Sequence, residues 1–152
     1  MKYIYTQKAP TPGKYSQAVL VDPLTHKLLF LSGQTGNDIN LKDEMVVDGG
    51  VGPQTTQALK NLLVVVEAAG GDVSSFVHLT VYLRDSGSEQ SRQNNWHQYN
   101  EACYRFFVER GVEKLPARDQ TWPVDVPWAT EPTVVEIKGI AEILRIDPFH
   151  RS

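Results

Sequence analysis

The sequence predicts an α+β fold in which two helices cover one face of a mixed β-sheet. Three observations carry this prediction. Apolar residues recur at helical spacing over residues 53–69 and again over residues 93–110. Residues 77–83 alternate between apolar and polar side chains, as a strand with one buried face does. Residues 133–143 form a longer segment with one apolar face and supply a final strand.

Length and composition are those of an ordinary globular protein. The chain has 152 residues, of which 41% are hydrophobic and 22% charged, so we expect one domain over residues 1–152. Its net charge of -3 argues against nucleic acid as a partner, since a basic face is expected there. The single cysteine, Cys103, excludes an internal disulfide and a cysteine-based zinc cluster. Without an apolar N-terminal signal or a membrane-length segment, we expect a cytoplasmic location and no membrane contact.

The N-terminal part of the chain predicts short strands. Residues 3–5 indicate an edge strand, which two prolines and a glycine in residues 9–13 interrupt. Tyr15 follows this rigid turn, where it either presents its hydroxyl or covers the edge of the core. Residues 18–21 and 27–32 are apolar runs around an Asp-Pro turn, a pattern typical of a β-hairpin.

The segment after this hairpin leads into the first helix. Gly33, at the end of the second apolar run, allows the backbone to approach a ligand or another chain closely. Residues 37–52 indicate a loop, Pro53 suits a first helical turn, and Gly70 ends the helix. Gln54 falls on the polar side. The apolar stripe comprises Thr55, Leu59, Leu62, Leu63, Val66 and Ala69.

The second helix follows a polar loop over residues 85–92. Cys103 lies on its apolar stripe, so we interpret it as a small buried residue and not as a nucleophile. Asn100 lies beside the stripe, either to make a hydrogen bond or simply exposed. The stripe comprises Trp96, Tyr99, Cys103, Phe106 and Phe107.

The main candidate for a binding residue is Arg118, in the segment Leu115-Pro116-Ala117-Arg118. A guanidinium stays charged near neutral pH and holds a carboxylate through two parallel hydrogen bonds. The alternative is a solvated arginine at a loop rim, before a short strand over residues 119–122. Glu136 shares one face of the last strand with Lys138, either as an acid or base or as a solvated carboxylate. That face also carries apolar residues, and self-association would cover it.

Taken together, these segments resemble the YjgF/RidA family, and the resemblance covers nearly the whole chain. The resemblance rests on the order and spacing of the matching segments and not on any one motif. The matching segments are Ala9-Pro10 to Gly13-x-Tyr15-Ser16-Gln17-Ala18, Phe30-Leu31-Ser32-Gly33-Gln34, Gln57-Ala58-Leu59-Lys60-Asn61, Glu67-Ala68-Ala69-Gly70-Gly71, residues 77–83, Asn100 with Phe106-Phe107, Pro116-Ala117-Arg118, and Val135-Glu136-Ile137 to Ile140-Ala141. The resemblance implies a chorismate-mutase-like fold and a homotrimer with three clefts between subunits.

The resemblance also implies an activity: hydrolysis of reactive enamines and imines such as 2-aminoacrylate to 2-oxo acids and ammonia. Family members use no metal and no organic cofactor, and they remove intermediates that pyridoxal-phosphate enzymes such as threonine dehydratase release. Arg118 matches the residue that grips the substrate carboxylate, and Glu136 the residue that positions water or moves a proton. Tyr15, Gly33 and Asn100 match further site positions. Gln120 stands at a substrate-binding position where well-studied deaminases carry cysteine.

These observations leave a first hypothesis and three alternatives. The first is a 2-iminobutanoate/2-iminopropanoate deaminase. Gln120 and a longer segment containing Trp122, Pro127 and Trp128 favour a larger enamine acid instead, such as 2-aminomuconate. A non-catalytic trimer that binds small carboxylates would use Arg118 equally well. An endoribonuclease or translation inhibitor is disfavoured by the sequence pI of about 5.8.

Overall fold

The computed structural model describes residues 2–4, 18–42, 45–123 and 133–144. Strands and helices follow the predicted order along the chain. The strands are β1 (Lys2–Ile4), β2 (Ala18–Leu20), β3 (His26–Thr35), β4 (Phe76–Leu83), β5 (Ala117–Thr121) and β6 (Val135–Leu144). The helices are α1 (Val51–Ala68), α2 (Glu89–Val108) and a 3-10 turn at Val73–Ser75.

The main sheet is mixed, in the order β3-β6-β4-β5. Strand β6 runs antiparallel to both β3 and β4, whereas β5 runs parallel to β4 and forms one edge. Both helices pack on one face of this sheet and share a single core with it. The prediction of an α+β fold with two helices and a mixed sheet is confirmed.

The predicted hairpin between β2 and β3 is wrong. Strand β2 pairs with β1 in a separate two-stranded ribbon, and β3 pairs with β6. The predicted turn does form, because the Asp22 carbonyl accepts hydrogen bonds from the backbone N–H groups of Thr25 and His26 at 3.3 and 3.1 Å. A turn between two apolar runs therefore indicates where the chain bends, but it does not determine which strands pair.

Helix α1 starts two residues before Pro53 and buries one residue that the sequence placed on the polar side. Gln54 is 1% exposed, and its side-chain oxygen accepts a hydrogen bond from the backbone N–H of Val134 at 2.8 Å. That bond compensates the burial of the amide, which would otherwise be unfavourable. Helical periodicity alone could not reveal this partner, which lies 80 residues further along the chain.

Helix α2 begins at Glu89, four residues before the predicted start. The Ser88 hydroxyl accepts a hydrogen bond from the Ser91 N–H at 3.2 Å, and Glu89 places a negative charge in the first turn. Both features are ordinary signals of a helix start that the polar character of the segment concealed. Of the predicted stripe, Tyr99, Cys103, Phe106 and Phe107 are buried, whereas Trp96 is half-buried.

The helices cover one face of the main sheet, whereas apolar side chains on the other face are exposed. Leu79 and Ile137 point into the helix layer and are fully buried. On the opposite face, here called the outer face, the side chains of Leu28 and Phe30 are 49% and 73% exposed. Of the helices in the described residues, neither is both long and apolar enough to cross a bilayer.

Candidate active site

Arg118 lies on the edge strand β5 and points toward the helix layer. It is paired with Leu79 of β4, and aligned residues of neighbouring strands share a face. Leu79 is fully buried under the helices, so Arg118 extends along the same side, half-buried at the rim. Leu115 and Pro116, both buried, anchor the chain just before the strand begins.

Helix α2 holds the Arg118 side chain. Nη2 of Arg118 donates a hydrogen bond to Oδ1 of Asn100, so these two predicted residues do meet. The other end of the Asn100 amide donates to the backbone oxygen of Trp96 at 2.8 Å. That second bond fixes the orientation of the amide, because only its oxygen can then face the guanidinium.

Two neutral side chains complete the surroundings of Arg118 on this helix. The guanidinium carbon lies 5.1 Å from the centroid of the Tyr99 ring, within the range of a cation–π contact. The Tyr99 hydroxyl donates to Sγ of Cys103 at 3.6 Å. Burial raises the pKa of both the phenol and the thiol above their ordinary values, so both are uncharged near neutral pH.

Glu136 lies on β6 with its side chain on the outer face. It pairs with Tyr82 of β4 on one side and Thr35 of β3 on the other. Gly33 lies in an irregularity of β3, between Leu31 and Gln34, that brings its backbone against this carboxylate. A Cβ atom at Gly33 would stand 1.9 Å from Oε1 of Glu136, so a larger residue there would push the carboxylate from this position.

The carboxyl group of Glu136 is partly withdrawn from solvent. Its Oε2 is buried without a hydrogen-bond partner among the described residues. This burial raises the pKa of Glu136, and the positive charge of Lys138 partly opposes the rise. A carboxyl group with a raised pKa is suited to accept and return a proton near neutral pH.

Lys138 and Tyr82 are neighbours of Glu136, and of these two the sequence indicated only Lys138. Nζ of Lys138 lies 5.4 Å from the Tyr82 ring centroid, and the Tyr82 hydroxyl is the main cause that raises the pKa of Lys138. The signal for Lys138 was its position two residues after Glu136 on the same strand face. Tyr82 had no such signal, because its neighbour β6 is distant in sequence.

Within one chain, Arg118 and Glu136 do not come together. Leu79, the partner of Arg118, points to the helices, whereas Tyr82, the partner of Glu136, points to the outer face. Strand β4 lies between β5 and β6, and the register offsets the pair by three residues. Strand spacing and rise place their Cα atoms about 14 Å apart, and their side chains point to opposite faces of the sheet.

The remaining predicted residues lie near Arg118 or outside the described part of the chain. Gln120 follows Arg118 on the same side of β5, paired with Val81, and is half-buried. Trp122 packs partly against the core. Tyr15, Pro127 and Trp128 lie outside the described residues.

Two crevices in the described part of the chain lie away from Arg118 and Glu136. A crevice of about 280 Å³ between α1 and α2 is lined by residues that include Pro53, Gln98 and Arg105. A second crevice, of about 500 Å³, is lined by residues that include His26 and Glu142. Neither contains Arg118 or Glu136. Among the described residues, no three histidine, cysteine, aspartate or glutamate side chains lie together as a metal ion would require.

Comparison with known proteins places this geometry in context. The family model described as Endoribonuclease L-PSP matches residues 6–143. The chain is 37% identical over 141 residues to the 2-iminobutanoate/2-iminopropanoate deaminase of Rattus norvegicus, covering 92% of this chain and 88% of the rat protein.

Solved structures with the same fold include two bacterial proteins. RidA from the Antarctic bacterium Psychrobacter is 31% identical, with a TM-score of 0.61 over 94% of this chain and 100% of its own. E. coli TdcF, solved with bound serine, is 28% identical, with a TM-score of 0.64 over 96% of this chain and 100% of its own.

Proposed function

The chain belongs to the Endoribonuclease L-PSP family, the YjgF/RidA family of the sequence analysis, and from this premise we propose that it hydrolyses 2-imino acids to 2-oxo acids and ammonia. The observation that carries the proposal is Arg118, a guanidinium at the rim of the sheet that Asn100 orients. The rat relative at 37% identity is named for this reaction on 2-iminobutanoate and 2-iminopropanoate.

The reaction needs a carboxylate anchor and a group that moves the two protons of a water to the nitrogen, one after the other. The Arg118 guanidinium binds the substrate carboxylate through paired hydrogen bonds and so fixes the imine carbon. A water oxygen bonds to that carbon as the C=N π bond breaks. Glu136 accepts one proton of the water and passes it to the nitrogen, which gives a carbinolamine. Glu136 then passes the remaining hydroxyl proton to the nitrogen, so that the C–N bond breaks, ammonia leaves and the C=O bond forms.

The two groups reach one substrate when two copies of the chain meet. In the proposed homotrimer, Arg118, Asn100 and Gln120 of one subunit face Gly33 and Glu136 of its neighbour across each cleft. The exposed Leu28 and Phe30 of the outer face support such an assembly, since an apolar sheet face is commonly covered by another chain. Each subunit is then a single domain over residues 1–152.

A second candidate substrate is a larger enamine acid such as 2-aminomuconate. Gln120 favours it, because its amide lies two residues along β5 from Arg118 on the same side, about 7 Å away. A second polar group on the substrate would find a hydrogen-bond partner there, which a cysteine does not provide to the same extent.

A coupled assay tests the proposal. Threonine dehydratase generates the imine, and ammonia release is followed with wild type, Arg118→Lys and Arg118→Ala. We expect wild type to accelerate release and Arg118→Ala to lose at least about 100-fold in kcat/KM. The lysine variant should fall between them, since an ammonium cannot form the paired geometry. A folded wild type that binds 2-oxobutanoate without accelerating release would instead be a carboxylate-binding protein.

A further inference from the structure

Arg118 needs external support if it is to hold a carboxylate in one orientation. It lies half-buried on the edge strand of the sheet, and no strand of the described residues lies on its far side. An arginine side chain has many rotamers, and each one that remains accessible lowers the affinity for a ligand that uses only one. Asn100 holds one nitrogen of the guanidinium.

We propose that Tyr99 is a positioning residue for Arg118, a role that rests on the proposed function of Arg118 as the carboxylate anchor. The Tyr99 ring is fully buried, and the guanidinium carbon lies 5.1 Å from its centroid. A guanidinium is attracted to the face of an aromatic ring, so the ring supplies a surface on which the charged group rests.

Tyr99 and Asn100 act from different directions because they are consecutive on α2. Side chains one residue apart on a helix diverge by about 100°. The Asn100 amide therefore meets the guanidinium through a hydrogen bond at one nitrogen, whereas the Tyr99 ring approaches the group as a whole. Two contacts of different kinds restrict both the position and the tilt of the group.

The position of the Tyr99 ring is itself fixed. Its hydroxyl donates to Sγ of Cys103 one helical turn later, at 3.6 Å, and both side chains are almost completely excluded from solvent. Sulfur is a weak acceptor, so this bond adds less than the packing around the ring. The Tyr99 hydroxyl also lies within hydrogen-bonding reach of Arg118. Because Tyr99→Phe keeps the ring, loss of the hydroxyl should matter less than loss of the ring.

Three variants separate positioning from general loosening of the core. Tyr99→Phe keeps the ring, Tyr99→Leu removes it, and Phe106→Leu removes a second buried ring of the same helix. Phe106 contacts Phe107 and Arg110. Phe106→Leu therefore controls for the space that Tyr99→Leu leaves in the core when a buried ring is removed. Thermal unfolding of each variant establishes that it is folded at the temperature of the assay.

Binding of 2-oxobutanoate, the product that carries the substrate carboxylate, is measured by calorimetry on the full chain. We expect Tyr99→Phe to bind within about twofold of wild type and Tyr99→Leu about tenfold more weakly. KM should rise in proportion while kcat changes little. Phe106→Leu should keep the wild-type affinity. Equal affinity of Tyr99→Leu and wild type, or equal weakening by Phe106→Leu, would overturn the proposal.

A second readout, by NMR, does not depend on ligand binding. The Nε–Hε resonance of Arg118, assigned by its loss in Arg118→Lys, should carry a ring-current shift in wild type and Tyr99→Phe but not in Tyr99→Leu. An unchanged resonance in Tyr99→Leu would also overturn the proposal. Wild type that binds 2-oxobutanoate without hydrolysing imines would contradict the proposed activity alone, whereas wild type that does not bind it would contradict both.

Discussion

Arg118 and Glu136 lie on opposite faces of one four-stranded sheet. Arg118 shares the helix side with Leu79, and Glu136 shares the outer side with Tyr82. Each has its own local support, from Asn100 in one case and from the close approach of Gly33 in the other. A reaction that uses both groups on one small acid therefore requires two copies of the chain.

The raised pKa of Glu136 predicts the pH dependence of the reaction. Burial makes this carboxyl hold its proton to a higher pH than a free glutamate does, whose pKa is about 4.3. Because the reaction needs the unprotonated form of Glu136, kcat/KM should rise with pH through an apparent pKa above that value. This rise is the acidic limb of the pH profile. Glu136→Gln should abolish this rise and lower kcat by about 100-fold or more. A variant that kept the same acidic limb would show that another group accepts the proton.

Lys138 should set the position of that limb. Its positive charge lowers the pKa of Glu136 against the effect of burial, so Lys138→Met should move the acidic limb to higher pH. The measurement is the pH profile of kcat/KM. Lys114→Met is a suitable control, because Lys114 is exposed between α2 and β5, toward the opposite end of the sheet. A limb that shifted equally in both variants would indicate only a change in net charge.

Gly33→Ala should lose activity through the displacement of Glu136. The added Cβ would stand 1.9 Å from Oε1 and 2.8 Å from the carboxyl carbon, so the carboxylate must move. A misplaced catalytic group lowers kcat by about 100-fold. Gly52→Ala, in the first turn of α1, meets nothing within 4 Å and should keep full activity. Wild-type kcat in Gly33→Ala would show that Glu136 need not hold this position.

Gln54 carries a prediction about stability. Its side chain accepts the Val134 N–H at the start of β6, so Gln54→Leu leaves that donor unsatisfied. We expect a loss of about 1–3 kcal/mol in the free energy of unfolding, measured by urea titration. Gln90→Leu, on the exposed first turn of α2, should change it by less than about 0.5 kcal/mol. Equal effects in the two variants would mean that the buried bond contributes nothing.

The sequence predicted the elements better than their arrangement. The alternation in β4 and β6 and the buried stripe of α2 followed from local periodicity, which depends on residues close in the chain. The partner of β2, the burial of Gln54 and the support of Arg118 by Tyr99 depend on contacts between distant segments. Tyr99 was recognised only as a core residue, because nothing in its neighbourhood in sequence indicates that Arg118 lies above its ring.

The most direct test of the central claim is activity in oligomers that mix Arg118→Ala with Glu136→Gln subunits. If each cleft takes Arg118 from one subunit and Glu136 from its neighbour, random equal mixing leaves about a quarter of the clefts with both groups intact. Ammonia release should then recover to about a quarter of the wild-type rate, although each parent is inactive. Mixed oligomers with no more activity than the parents would contradict a site shared between subunits.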